Sequence, residues 1–574
     1  MIVNRVLAAS GALTVGALAA LPVGAAPLQR NLDVYRVSPV VENGKVQALT
    51  VEVRLRADAD GETRMQLPAE WGGGERLWRF LKDPVVTGGQ LSQPDEKTWA
   101  ITSRPRAALT LRYRVVSAYD GPPPPDSPNF GQPIIGPEGF YVIGHTIFAT
   151  PEGRDLDLAR FEWNPAGASL RLATDLTPLQ TSPASISQLG PSVLMAYPDT
   201  VEARRDVGGA PLTVAVRGTF SFNAEAFADM AARSIGAARA FWGDDRTPFL
   251  ITLAGQPGPQ GWTSYRGTGL DDAFAVISTQ NTKLEDYRLF LTHEYLHTWI
   301  AERLGGAIDG PDEPAGYWFS EGFTDYYARR LALRAGLVDL ETFAGAWNEA
   351  LDAYATSSAI GANNAQIVAG FWSDRAVQKL PYQRGAQLAV LLENRLKTNG
   401  GLDRVMLALR DQAAQRRGAS PRTPAAQAFA AVARSMTGVD LAPEIDRYVS
   451  RGERILLPAD AFGGCLTVET LTRPAYWLGL DLAETGKTRA LAGVDPTGPA
   501  YAAGLREGMK YLGRQGGKPG DSTVEIGLAV EENGKPRVIR FLPKGPGEVT
   551  VQRLKVPTAL TPDTRAACVK AVAG

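Results

Sequence analysis

Thr292-His293-Glu294-Tyr295-Leu296-His297 places two imidazoles four residues apart, with a carboxylate beside the first. On a helix, positions i and i+4 share a face. His293 and His297 can therefore hold one Zn2+ through ring nitrogens, with Glu294 next to the metal as a base. The chain has only 3 His, and a catalytic zinc site takes three protein ligands and keeps one position open. No His follows His297, and His145 lies far upstream, where it reads as a structural residue. The third ligand is therefore expected to be a carboxylate. Trp318-Phe319-Ser320-Glu321-Gly322-Phe323-Thr324-Asp325 supplies it. Glu321 is expected to ligate the metal. Asp325, one turn later, would accept the second ring N–H of a ligating His and fix its tautomer.

Such a site needs two helices. Thr282 and Glu285 read as a capping box at the start of the first, and Gly305-Gly306 as its end, so 283–304 is expected to be helical. A second helix is expected over 321–335, and mostly helix over 336–455. Asn223 reads as the cap of another helix running to Trp242. Ahead of these, Leu49, Val51, Val53 and Leu55 alternate with polar residues, as do Leu109, Leu111, Tyr113 and Val115. A period of two means half-buried strands. Pro122 to Pro125 form a run that suits neither helix nor sheet. From about 461, short strands with Gly-rich turns return. The expected fold is multidomain α+β: a signal peptide at 1–25, a β-rich domain at 26–205, a catalytic domain at 206–335, a helical domain at 336–460 and a β module at 461–574.

The zinc motif and the Trp318 to Tyr327 stretch resemble the gluzincin peptidases, whose catalytic domain is thermolysin-like, and among them the glycyl aminopeptidase family. The 23 residues between His297 and Glu321 favour that branch over the alanyl-type aminopeptidases. Leu380-Pro381-Tyr382-Gln383-Arg384-Gly385 resembles the segment in which these families carry a catalytic Tyr. The resemblance thus gives Tyr382 the role of donor to the oxyanion. It also implies an edge-strand stretch that holds the substrate's amine, matched here by Gly267-Thr268-Gly269-Leu270-Asp271-Asp272. Gly269, Asp271 and Asp272 become substrate-binding candidates, although Asp271 stands where the family has Glu and Asp272 where it has His. Glu313 is a further candidate for the amine. Tyr476 to Leu482 and Gly498-Pro499-Ala500-Tyr501-Ala502-Ala503-Gly504-Leu505 resemble a PDZ domain, which would capture a peptide C-terminus.

Composition narrows the alternatives. Lys plus Arg number 60 and Asp plus Glu 61, so no basic field exists to attract nucleic acid. Arg5, the apolar run Val6 to Leu21, Pro22 and the small residues Val23-Gly24-Ala25 read as a secretory signal. No stable membrane insertion is expected after cleavage. The destination would be periplasmic, with extracellular release or an uncleaved anchor as alternatives. The two Cys, Cys465 and Cys568, would then meet an oxidising compartment. Whether they bond or stay as buried thiols is left open. The functional expectation is an exported zinc aminopeptidase acting on peptides. The rivals are a zinc endopeptidase, a hydrolase of non-peptide amides, and a non-catalytic peptide-binding PDZ scaffold.

Overall fold

Alternation of apolar and polar side chains governs the first third of the chain. The computed structural model describes residues 32–124, 131–243, 247–258, 263–305, 308, 310–415, 423–532 and 534–574. The signal-like segment 1–25, Pro125 and Gly306 lie outside these residues. Leu32–Glu42, Lys45–Arg56, Leu81–Thr87, Ala108–Val115, Leu158–Trp163 and Ala184–Ser185 form one six-stranded sheet. In Lys45–Arg56 the buried residues alternate from Leu49 to Leu55, and Val46 and Ala48 are buried in the opposite phase. Pro122 to Pro124 lie in no helix or strand.

Two strands of a smaller sheet, Gly139–Ile143 and Val193–Tyr197, are buried at every position. The reason is that both faces are covered. Phe140, Val142, Leu194 and Ala196 point into the core of the β domain. Tyr141, Ile143, Val193, Met195 and Tyr197 pack instead on Leu250, Leu270, Ala273, Ala275 and Ile277 of the next domain. The β domain is thus fixed to its neighbour through an apolar interface.

That neighbour has a five-stranded sheet in the order Val201–Asp206, Pro211–Arg217, Phe249–Gln256, Ala273–Thr279, Tyr265–Gly269. The sheet takes in 201–206, a few residues ahead of the expected boundary at 206. Helix Ala224–Trp242 makes the crossover between the parallel strands Pro211–Arg217 and Phe249–Gln256. Asn223 caps it by accepting from the Ala226 amide at 2.9 Å. Tyr265–Gly269 is an antiparallel edge strand whose outer side opens onto a cleft.

No separate core begins at 336. One apolar cluster runs from the sheet through helices Gly322–Arg334, Leu340–Ala355 and Arg375–Leu396 to Phe462, Val468, Leu554 and Val572. Helices Gly322–Arg334 and Arg375–Leu396 cross where Gly322 meets Gly385, and a Cβ on either would collide with the backbone of the other helix. This close approach brings the Glu321–Asp325 turn against Tyr382.

The expected C-terminal module divides. Thr467–Tyr476 and Lys544–Lys555 form a two-stranded ribbon, and Asn348 of helix Leu340–Ala355 exchanges two hydrogen bonds with the Leu554 backbone. Cys465 and Cys568 are bonded, with Cα atoms 5.6 Å apart. This ties the start of the ribbon to helix Pro562–Ala573. Only the residues between the ribbon strands have a core of their own, including Leu478, Leu491, Leu505, Ile526, Leu528 and Phe541. A PDZ domain would need an open strand after Gly479 to add a peptide. Here Leu482–Thr488 is a helix, capped by the Asp481 carboxylate on the Glu484 amide. The short polar side chain at 481 followed by Glu484 favours a helix start over a strand.

Among the described residues, no helix is long and apolar enough to cross a membrane.

Candidate metal centre

The motif helix begins one residue later than expected. Thr282 turns inward and bonds Ser278 and Thr279. The start is secured instead by the Asp286 carboxylate, which accepts from the Lys283 amide at 3.0 Å. The regular helix runs Tyr287–His297 and continues as a wider turn, Thr298–Arg303. Leu291, Tyr295 and Leu296 are buried on its core face. His293, Glu294 and His297 lie on the half-buried face towards the cleft. Glu321 sits at the junction of two helical segments, Tyr317–Ser320 and Gly322–Arg334.

These elements bring three ligand atoms together. The Nε2 atoms of His293 and His297 are 3.1 Å apart, and Glu321 Oε2 is 3.4 Å from each. A tetrahedral Zn2+ with bonds of about 2.0–2.1 Å separates its ligands by about 3.3 Å. The donor set and its spacing therefore fit zinc. The charge balance agrees. Glu294, Glu321 and Asp325 gather at the two imidazoles, and among the described residues the arginine or lysine that pairs with them is Arg329. Three carboxylates against one paired guanidinium leave room for a dication.

Asp325 accepts from His293 Nδ1 at 2.9 Å, which turns Nε2 towards the cage. Asp325 is held in turn by Arg329 at 3.1 Å, and the Arg329 guanidinium lies 5.1 Å from the Trp347 ring centre. Without metal, the cage binds protons in its place. Burial disfavours a charged His293, but hydrogen bonds to Asp325 and Glu321 outweigh it and raise the pKa to about 10. Burial also works against ionised Asp325 and Glu321. Arg329 and His293 nonetheless hold Asp325 at about 2, and the two histidines hold Glu321 well below the carboxylate range. Metal uptake must displace protons from this site. Glu294 is pushed up, first by burial, with the two histidines opposing. Tyr382 stays protonated because it is buried beside Glu321 and Glu294. Its ring lies 6.1 Å from that of His293 and nearly parallel to it.

The cage opens onto a cleft of about 1190 Å³. Gly269 and Asp271 line it, but Asp272 does not. The Asp272 carbonyl accepts from the Leu250 amide, so that residue serves the turn between strands. Glu313 also lines the cleft, with the Tyr317 hydroxyl as partner. Two residues outside the expected site complete the far wall: Trp71 and His145. His145, read from the sequence as a structural residue, packs over Gly190 and also lines the cleft. It is exposed to the cleft and stacks on Trp71 at 5.5 Å. Its one readable signal was company, the Trp71-Gly72-Gly73-Gly74 turn, some 70 residues away in the chain.

Residues 286–372 match the M61 glycyl aminopeptidase family. No curated protein matches the chain. Among solved structures, an aminopeptidase N family protein from Idiomarina loihiensis superposes with a TM-score of 0.67 at 14% identity, covering 94% of this chain and 100% of that one. It supports the shared fold. An M1 zinc metallopeptidase from Deinococcus radiodurans gives a TM-score of 0.47 at 16% identity, over 75% of this chain and 95% of that one. A variant from the same organism, bound to a Tyr-Ser-Ala substrate, gives 0.45 at 18% identity over the same shares.

Proposed function

We propose that the chain is a zinc metallopeptidase related to the glycyl aminopeptidases, whose family model matches residues 286–372, and that it removes single residues from the N-termini of peptides. One observation carries the reading. The zinc-fitting cage of His293, His297 and Glu321 has Glu294 beside it, in a cleft lined by the edge strand Tyr265–Gly269 and, two residues beyond its end, by Asp271. A purely structural site needs no base, so Glu294 argues against a scaffold.

When bound, Zn2+ polarises the scissile carbonyl and makes water nucleophilic near neutral pH. The chain's own residues do the rest. Glu294 takes the proton of the attacking water and passes it to the leaving amine. The Tyr382 hydroxyl, kept protonated by its surroundings, donates to the oxygen that becomes negative in the transition state. Asp325 keeps His293 in the ligating tautomer. The free edge of Tyr265–Gly269 pairs with the substrate backbone. Asp271, which lines the cleft just beyond this strand, would hold the substrate's ammonium. The disulfide Cys465–Cys568 suits an oxidising compartment. With the signal-like segment 1–25, it supports export, to the periplasm in a Gram-negative cell. The small C-terminal module is assigned no peptide, because helix Leu482–Thr488 stands where a peptide-adding strand would be.

The test uses one set of peptides, each with a free and an acetylated N-terminus, and reads products by mass spectrometry with and without a zinc chelator. Chelator-sensitive loss of single residues from the free peptides alone is expected. Internal cuts in both sets would make the enzyme an endopeptidase and remove the amine-binding role of Asp271.

A further inference from the structure

The far wall of the cleft comes from the β domain, not from the zinc-bearing elements. Trp71 opens a tight turn in which its amide and carbonyl both bond Gly74, at 3.0 and 2.8 Å. Gly72 and Gly73 have φ of 56° and 77°, the left-handed pair that such a two-residue turn requires. The Trp71 ring is half-buried and packs on the apolar cluster that contains Leu270. His145 stacks on it with planes 18° apart. The His145 amide donates to the Gly190 carbonyl, and its ring lies so close over Gly190 that a Cβ there would come within 2.8 Å. The two rings are therefore held by rigid backbone, and they face the same cavity as the cage.

The direction of the edge strand says what reaches this pair. Antiparallel pairing is the more stable ladder. A substrate antiparallel to Tyr265–Gly269 has its N-terminal side at the Gly269 end. Gly269 lies over the motif helix, 3.6 Å from the Glu294 carbonyl and 3.9 Å from His297 Cβ, measured from the position its Cβ would take. The reacting bond is thus near Gly269. The single residue on its N-terminal side lies beside Leu270 and Asp271, in the part of the cleft that Trp71 also lines.

We propose that the Trp71–His145 pair is the subsite for the side chain of the substrate's first residue, and that it selects peptides beginning with an aromatic or other large flat apolar residue. Offset stacking and apolar burial supply the preference. The inference rests on the aminopeptidase reading.

The test compares kcat/KM for Phe-Ala-Ala and Ala-Ala-Ala with the full chain loaded with zinc. Wild type should prefer the Phe peptide. Trp71→Ala should cut that preference by about tenfold, the scale of one lost aromatic contact with its buried area. His145→Ala should weaken it less, and Trp71→Phe should keep most of it. An unchanged ratio in a Trp71→Ala protein that melts normally would overturn the subsite, as would a wild-type ratio of one or below. If wild type cleaves neither peptide, the peptidase reading fails by itself, and binding decides the subsite. Calorimetry with phenylalaninamide and alaninamide should then show a Phe preference that Trp71→Ala abolishes. Equal binding of the two amides to wild type would overturn the proposal.

Discussion

Two clusters of inward-facing charge in this molecule use the same residue types for opposite ends. In the cage, Glu294, Glu321 and Asp325 meet two imidazoles and Arg329 beside an open cleft. In the second cluster, Asp352 and Asp521 meet Arg473, Arg553 and Lys518, with Asp352 paired at 2.7 to 3.3 Å. Asp352 belongs to helix Leu340–Ala355, Arg473 and Arg553 to the ribbon, and Lys518 and Asp521 to the small module. The side chains of Asp352 and Asp521 are each 5% exposed. This cluster already contains more cations than carboxylates, so it has no use for a metal. It locks the module's base onto the catalytic body. Buried carboxylates alone do not mark a functional site; a surplus of them around imidazoles at an open face does.

The largest expected effect falls on the cage. Glu321→Ala should lose zinc and all measurable cleavage, read by metal analysis beside an activity assay, while the fold persists. Next in size, Asp352→Asn leaves the buried Arg473 without its full partner set and should cost about 3–5 kcal/mol. The readout is the first transition in denaturant unfolding, with zinc content unchanged. If the two variants exchanged phenotypes, the contrast would be wrong. Asp325→Asn should be milder than loss of a ligand, weakening zinc affinity or activity by about 10- to 100-fold.

The last effect concerns pH, and a carboxyl that has neither kind of partner. Burial, with Asp272 and Asp271 nearby, raises Asp175 from 3.8 to about 7, although the Val193 amide donates to it. Between these two values the folded chain holds a proton that the unfolded chain does not. Its contribution to stability is full below 3.8 and is lost as pH rises to about 7. Asp175→Asn should flatten that part of the stability–pH curve, measured by thermal unfolding from pH 4 to 8. An unchanged slope would mean that Asp175 ionises normally.

The sequence was most readable where function depends on one helix. The spacing of His293 and His297 is itself the geometry, and Glu321 and Asp325 repeat the same logic one helix later. Alternation at Lys45–Arg56 and Ala108–Val115 was readable because one face of that sheet is buried and the other is not. The fully buried strands Gly139–Ile143 and Val193–Tyr197 carry no such period, so their role as the joint between domains was hidden. The Trp71–His145 wall was hidden for another reason: its members are far apart in the chain and meet only through that joint. At Leu482–Thr488, motif and local preference disagree. The Gly479 and Gly498 turns look like a PDZ domain, yet the Asp481 cap prevails and the strand is replaced by a helix.

We propose that Glu294 serves as the base at a zinc site held by His293, His297 and Glu321. Zinc content and cleavage rate, measured on the same preparation of Glu294→Gln, test it most directly. One zinc per chain is expected, as in wild type, with a rate at least about 100-fold lower. A variant that keeps its zinc and cleaves at the wild-type rate would contradict it.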